Sequence, residues 1–559
     1  MSQTQKEERQ SLKTKSIVKW SAIFIVIVLI AAFIAYQLFY KKIEAENFVP
    51  ENPTSLMLID INPDSEQNLS LDKLAMNLGN ENIFSDYLEG QFFQGISPEN
   101  LKLDTQDLKS WLGDKLVISK IKLSNLEDRS AHIVEVKNIE KAKEVLGAIN
   151  ENIKKKGSVV TNEEFRHIGI NFIEGENNVA YALYDNFLLV SEDPAGIKMM
   201  IDTRTGRNKS LLSDKVYKKL RKKLKADDFV VFTFIDVIST LKYISGLSPQ
   251  IDFSFIDRVA SSGRINVGAV FTAKENGVEA NILLGGSGDS YEKKKGFKPN
   301  LAEKIPADVS FYIEGQDIKS FTERLIVGGM GDNLSDEDLQ AKSELLKKGI
   351  NLQFGVDLEK DLFSLLTGRY AFMLFPEKEG KGYSVGIILE SSNKEETAEK
   401  MKKIEEIVAD QINKNIIKDE KKQVAFYDRE YKNFKYRFAK LPEDIKLDIY
   451  YAVLEDEIII TSTKDALTKL LDSSRENADN ILADSQDFQD TYTEIESKDA
   501  TRLIYVDMDK TFRFFDNFEI LKYTKVQDEL RSLNNMGFLN KYSGEGGWAQ
   551  GFISVKQDD

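Results

Sequence analysis

Several short stretches of this 559-residue chain set oxygen- or nitrogen-bearing side chains at spacings that chemistry uses. Gly285-Gly286-Ser287-Gly288-Asp289 approaches the elbow that presents a nucleophilic serine between a strand and a helix. Asp289 replaces the closing glycine, and a lysine-rich stretch follows where a helix is needed, so the run reads as linker. Asp60-x-Asn62-x-Asp64 matches the first ligands of a calcium loop, where oxygens on alternate residues wrap a hard cation. Ser65 stands where the loop needs glycine and Leu71 where it needs a bidentate glutamate, which leaves an Asx turn after a strand. Gly328-Gly329-Met330-Gly331-Asp332 followed by Asp336-Glu337-Asp338 reads as a mobile loop ahead of a helix N-terminus, which acids favour.

The two histidines, His132 and His167, have no serine or cysteine partner identifiable from spacing and read as structural. Cysteine is absent, which removes disulfides, thiolate nucleophiles and cysteine metal sites together. Carboxylate-only catalysis, as in many glycosidases, needs two carboxyls roughly 5–9.5 Å apart across a cleft. The 91 acidic residues offer many pairs and no way to choose one, so no catalytic, metal or cofactor residue is assigned. Residues 215–225, KVYKKLRKKLK, place seven basic residues around Val216, Leu220 and Leu224. That is a basic amphipathic helix able to lie on anionic lipid or an acidic partner, or simply a solvated face.

These stretches sit in a chain of ordinary globular balance, 42% hydrophobic and 30% charged. Its net charge of −15 makes nucleic acid a poor partner. Residues 20–40, WSAIFIVIVLIAAFIAYQLFY, hold no charge, and about 20 apolar residues span a bilayer core. Lys6, Arg9, Lys13, Lys15 and Lys19 precede the run, so the positive-inside bias puts residues 1–19 in the cytoplasm and residues 41–559 outside it. The run is longer than a signal-peptide core and bulky residues follow it, so it reads as an uncleaved anchor. Glu7 and Glu8 reduce the first 19 residues to about +3, leaving −18 for the remainder.

Beyond the anchor, an element order recurs at 255–270 residues. Phe48-Val49-Pro50 opens a strand over 54–61, and Lys304-Ile305-Pro306 opens one over 308–314. Residues 107–113, ending Trp111-Leu112-Gly113, lead into a strand, as do residues 361–368, ending Leu365-Leu366-Thr367-Gly368. Strands over 132–136 and 386–390 precede helices over 139–153 and 394–408. Hairpins over 181–191 and 449–461 precede short helices over 194–201 and 464–471. Strands over 229–236 and 502–507 follow, and 265–272 resembles 548–555. An Asn276-Gly277 hairpin turn closes the first copy, and the second is expected to end where the return strand would begin. Trp111 and Leu365, and Phe234 and Tyr505, are the expected core counterparts.

The order resembles an uncharacterised bacterial family of single-span envelope proteins, catalogued as a domain of unknown function. The resemblance rests on the proline-led first strand at Val49-Pro50, the Trp111-Leu112-Gly113 step and the hairpin over 181–191. It implies architecture and location, with no activity to carry over.

The expected fold is α+β. After the transmembrane helix over 20–40 come two tandem homologous modules, 48–285 and 301–559, with antiparallel sheets, packed helices and a linker over 286–300. The expected function is a membrane-anchored, extracytoplasmic, non-catalytic binding or scaffold protein of the cell envelope. It touches the membrane through its N-terminal helix and has an envelope protein or lipid as partner. A carrier or chaperone for lipid or apolar polypeptide, and a carboxylate-dependent envelope hydrolase, are the alternatives.

Overall fold

The computed structural model describes residues 43–77, 110–123, 128–247, 265–286, 296–316, 369–517 and 533–556, short gaps excepted, and scattered residues of 344–368. The span over 20–40 lies outside them. Among the described residues no helix is long and apolar enough to cross a membrane.

A 3-10 turn at Ala45–Phe48 starts the first half. There follow β1 (Ser55–Asp60), α1 (Glu66–Asn77), β2 (Leu112–Lys122), β3 (Asp128–Val136), α2 (Ile139–Lys155), β4 (Val159–Phe165), β5 (Ile168–Glu174), β6 (Val179–Tyr184) and β7 (Phe187–Ser191). Next come α3 (Pro194–Arg204), α4 (Lys215–Lys223), β8 (Val231–Asp236), α5 (Val237–Leu247), β9 (Ile265–Lys274) and β10 (Gly277–Gly286). A second 3-10 turn, Leu301–Lys304, starts the second half. It runs through β11 (Phe311–Gln316), β12 (Arg369–Pro376), β13 (Tyr383–Glu390), α6 (Lys394–Asn415), β14 (Tyr427–Tyr431), β15 (Phe434–Ala439), β16 (Ile449–Val453) and β17 (Glu457–Thr461). It ends with α7 (Lys464–Ser473), α8 (Gln486–Thr493), β18 (Arg502–Asp507), α9 (Met508–Asn517), β19 (Leu533–Ser543) and β20 (Gly546–Val555).

Local chemistry sets these boundaries. Asp193 caps α3 by accepting from the Gly196 N–H, with Pro194 at the first helical position. Thr463 does the same for α7 by accepting from Ala466. Asp214 and Ser485 cap α4 and α8. In β8 alternate residues Phe232, Phe234 and Asp236 turn inward, and in β18 Leu503, Tyr505 and Asp507 do so.

Among the described residues every strand pairing is antiparallel. From one edge the order is β4-β5-β6-β7-β3-β2-β1-β8-β9-β10. It continues as β20-β19-β18-β11-β12-β13-β17-β16-β15-β14. The second series is the first read backwards, strand for strand. The fold is therefore α+β, on one large antiparallel sheet.

This order corrects the expected end of the chain. The counterpart of β9 is β19, not the stretch over 548–555: Gly268 lies opposite Phe234, and Gly537 opposite Tyr505. The stretch over 548–555 belongs to β20, which is itself the return strand. Its sequence resembles β9 because both strands mix small residues with apolar ones on a largely covered sheet. Gly285 and Gly286 also stay in β10 and are not linker. Phe234, in β8, lies opposite Leu56 and Gly268, and Tyr505, in β18, opposite Tyr312 and Gly537. Leu365, the expected counterpart of Trp111, lies outside the described residues.

Helices cover both faces. α3 and α4 pack over Phe48, Leu56, Leu58, Val117 and Phe234, while α2 packs over Trp111, Val134 and Leu188 on the other face. In the second half α7 and α8 cover Tyr312, Met373 and Tyr505, and α6 covers Tyr370 and Ile458. At the join, β10 and β20 pair from Gly277↔Ser554 to Leu283↔Trp548. Leu283 and Phe552 lie opposite Gly268 and Gly537 respectively, so they are counterparts. The pairs Leu283↔Trp548 and Glu279↔Phe552 then flank Asn281↔Gln550 symmetrically. The register of the join is thus symmetric about that pair.

Candidate functional site

One open cleft of about 470 Å³ lies in the second half, lined by Pro306, Asp308, Lys432, Lys469, Asp472, Ser473, Arg475, Ala478, Asp479 and Asn480. Three pieces of chain build it. The β14–β15 hairpin turns at Lys432 and Asn433, both left-handed at φ 47° and 72°, as a two-residue hairpin of the primed type requires. α7 brings Lys469 and Asp472 up beside that turn. The segment after α7 runs back along the start of β11: Ala307 N–H donates to Asn480 O at 2.9 Å, and Asn480 takes φ 60° to make the bend.

Ion pairs dominate its chemistry. Lys432 Nζ donates to both Asp472 carboxylate oxygens at 2.9 and 3.1 Å, and Tyr431 Oη donates to Asp472 at 2.8 Å. Lys469 Nζ lies 2.7 Å from Asp308 and 3.0 Å from Asp465. Arg475 reaches Asp472 at 3.4 Å and covers the Phe434 ring at 5.4 Å. Burial would raise the Asp472 carboxyl, but Lys432 and Tyr431 outweigh it and hold the group below its ordinary range. Burial would lower Lys469, but Asp308 and Asp465 outweigh it and raise the ammonium. A carboxylate held ionised in this way is a poor proton donor near neutral pH, and an ammonium so held is a poor base. The arrangement suits recognition of a small polar or zwitterionic group better than proton transfer.

Part of the cleft is architecture. In the first half the β4–β5 hairpin turns at Arg166 and His167, φ 53° and 64°, and Arg166 Nε donates to Asp202 of α3 at 2.6 Å. A left-handed basic residue at a hairpin tip thus clasps a helix aspartate in both halves.

The residues singled out from sequence fall elsewhere. His167 occupies that turn; its side chain is almost fully exposed, and its Nδ1 lies 3.2 Å from Glu164. His132 sits within β3 opposite Ile118 and Val190, where burial and Lys120 lower its pKa. Asp60, Asn62 and Asp64 form successive Asx turns: Asn62 N–H donates to Asp60 at 2.9 Å and Asp64 N–H to Asn62 at 3.0 Å. Among the described residues no group of three or more His, Asp or Glu could hold a metal ion. Ser287 to Asp289 and the loop over 328–338 lie outside the described residues. α4 does form, but its buried side is Tyr217, Leu220 and Leu224, with Val216 on the margin.

Arg221 of α4 is drawn into the fold. It donates to Glu46, which is 1% exposed and also accepts from Tyr217 Oη at 3.1 Å. No sequence signal connected Glu46 to Arg221, 175 positions apart, or Lys432 to Asp472, and only the fold brings them together.

A family model described as a protein of unknown function (DUF3352) matches residues 21–539. A search of curated proteins found no match. Crystal form III of TP0453 is similar at 11% identity, covering 45% of this chain and 83% of that one, with a TM-score of 0.25. Crystal form I of TP0453 gives the same identity and TM-score with 82% of that chain covered.

Proposed function

The chain belongs to the DUF3352 family of proteins of unknown function, and from that premise we propose that it is a membrane-anchored, extracytoplasmic binding or scaffold protein without catalytic activity. Residues 1–19 stay in the cytoplasm, 20–40 cross the membrane, and the rest lies beyond it. The uncharged run and the five basic residues before it support that placement. Two homologous modules, 48–285 and 301–559, build the outer part. The mirrored strand order and the matched helix caps support this reading.

The observation that carries the binding reading is the cleft beside Lys432, whose charged groups are tied to one another. They offer a rigid polar surface rather than a tuned acid–base pair. The cleft's charged lining gives no support to a carrier of apolar ligands. The test uses the full chain in its native membrane. A reporter active only in the cytoplasm, fused after Asp559, is expected to be silent. The purified chain is expected to leave envelope glycans intact. Strong reporter activity would overturn the placement. Glycan hydrolysis that disappears in an Asp308→Asn/Asp472→Asn variant would overturn the non-catalytic reading.

A further inference from the structure

α4 carries Lys215, Lys218 and Lys222 at exposed positions on the side opposite its buried Tyr217 and Leu220, and exposed Lys225 follows just past the helix C-cap, Leu224. At 100° per residue the three helical lysines fall within one sector of the helix. The fold does not require that charge. The counterpart helix, α8, lies on the same face of the sheet and carries Asp487, Asp490 and Glu494 instead.

The position of α4 is informative. Arg221, on its flank, pairs with Glu46 and lies 3.5 Å from Glu44. These acids begin the described chain, directly after the apolar run. From Tyr40 to Glu44 the chain can extend at most about 14 Å. The lysine face is therefore held within a short reach of the point where the chain would leave the membrane. A tethered body that carries −18 in all after residue 19, lysine patch included, is repelled by anionic headgroups everywhere except where such a patch faces them.

We propose that α4 is an electrostatic foot. Its Lys215, Lys218 and Lys222 face, with Lys225 just beyond the helix, rests on anionic phospholipid headgroups beside the anchor and fixes the orientation of the outer body. This rests on the anchor reading above. Arg221, pinned to Glu44 and Glu46, joins the foot rigidly to the tether.

The test uses the full chain reconstituted into vesicles of phosphatidylcholine, with and without phosphatidylglycerol. The chain has no cysteine, so Ser213→Cys, two residues before α4, accepts a single donor dye. Energy transfer to a headgroup acceptor is expected to be about twofold higher with the anionic lipid, because each lysine near such a surface adds attraction. It is expected to fall to the neutral-vesicle level as salt rises from about 0.05 to about 0.5 M, where screening shortens to a few ångströms. It should fall likewise in a Lys215→Glu/Lys218→Glu/Lys222→Glu/Lys225→Glu variant. The salt series on the unsubstituted lysines keeps the test independent of how that variant folds. A chain that inserts stably but shows the same transfer in both lipids, blind to salt, overturns the docking and leaves the anchor standing. A chain that alkaline carbonate strips from the vesicles overturns the anchor, and the docking with it.

Discussion

At the scale of single residues, buried carboxylates and their partners separate strong contacts from weak ones. Glu46 is 1% exposed and satisfies both Tyr217 and Arg221. Replacing it with alanine leaves the Tyr217 hydroxyl without its carboxylate and Arg221, 19% exposed, with Glu44 at 3.5 Å, so Glu46→Ala is expected to cost about 1–3 kcal/mol, read by urea denaturation. Asp202→Asn breaks the Arg166 clasp, whose side chains are 29% and 26% exposed, and should cost within about 1 kcal/mol. Equal losses would show that burial is not what separates them. Glu314 gives a pH signature. Burial raises its pKa above the ordinary 4.5, although Tyr312 Oη and the N–H groups of Asn300 and Leu301 donate to it. The folded chain therefore binds its proton more tightly than the unfolded one. Its contribution is most favourable at low pH and declines as pH rises from about 4.5 through the raised value. In paired denaturation curves, stability should shift toward Glu314→Gln between pH 4 and neutrality, and a constant difference would refute the assignment.

At the scale of elements, two glycines decide how closely α4 and α8 approach the sheet. A Cβ on Gly537 would lie 2.5 Å from Thr491 Cγ2 and 2.8 Å from Ile495 Cδ1. On Gly268 it would lie 2.9 Å from Leu224 Cδ1 and 3.3 Å from Leu220 Cβ. Gly537→Ala is expected to destabilise by about 1–3 kcal/mol through overpacking. Gly268→Ala should cost less, because a leucine methyl yields more readily than a β-branched threonine in a helix. Urea midpoints in the reverse order would contradict this account. The helices were legible as 3–4 spacings and the strands as alternation. The two-residue turns at Arg166-His167 and Lys432-Asn433 were not. Left-handed backbone at arginine, histidine and lysine carries a cost that only the surrounding contacts offset.

At the scale of the whole molecule, the join between β10 and β20 decides whether the two halves share one sheet. Glu279 accepts from Asn281 Nδ2 at 2.6 Å and Gln550 Nε2 at 3.0 Å, and Lys274 lies 3.1 Å away. Burial alone would raise Glu279, but these partners hold its carboxyl below the ordinary range. Gly277 faces the Ile553 carbonyl so closely that a Cβ there would displace backbone. By hydrogen exchange, peptides covering 277–283 and 548–554 are expected to be as protected as those of β9 and β19. Gly277→Ala should release both together. Fast exchange at the join in the unsubstituted chain would mean that the halves do not share a sheet.

The amino-acid order alone determined the class of fold, the recurrence of elements and most helix and strand positions. Each of these depends on periodicity and on contacts close in the chain. Trp20 to Tyr40 stands out on hydropathy alone, and family membership follows from the same linear pattern. Which strand pairs with which at the ends was decided by tertiary structure. β9 and β20 look alike because both mix small and apolar residues, and composition does not distinguish β20 from β19, the strand it pairs with. The clasps Arg166–Asp202 and Lys432–Asp472, the Glu46–Arg221 pair and the symmetric register at Asn281–Gln550 also emerged only there. Their members lie tens to hundreds of residues apart, and any of 91 acids could have met any of 76 lysines and arginines until the sheet set the distances.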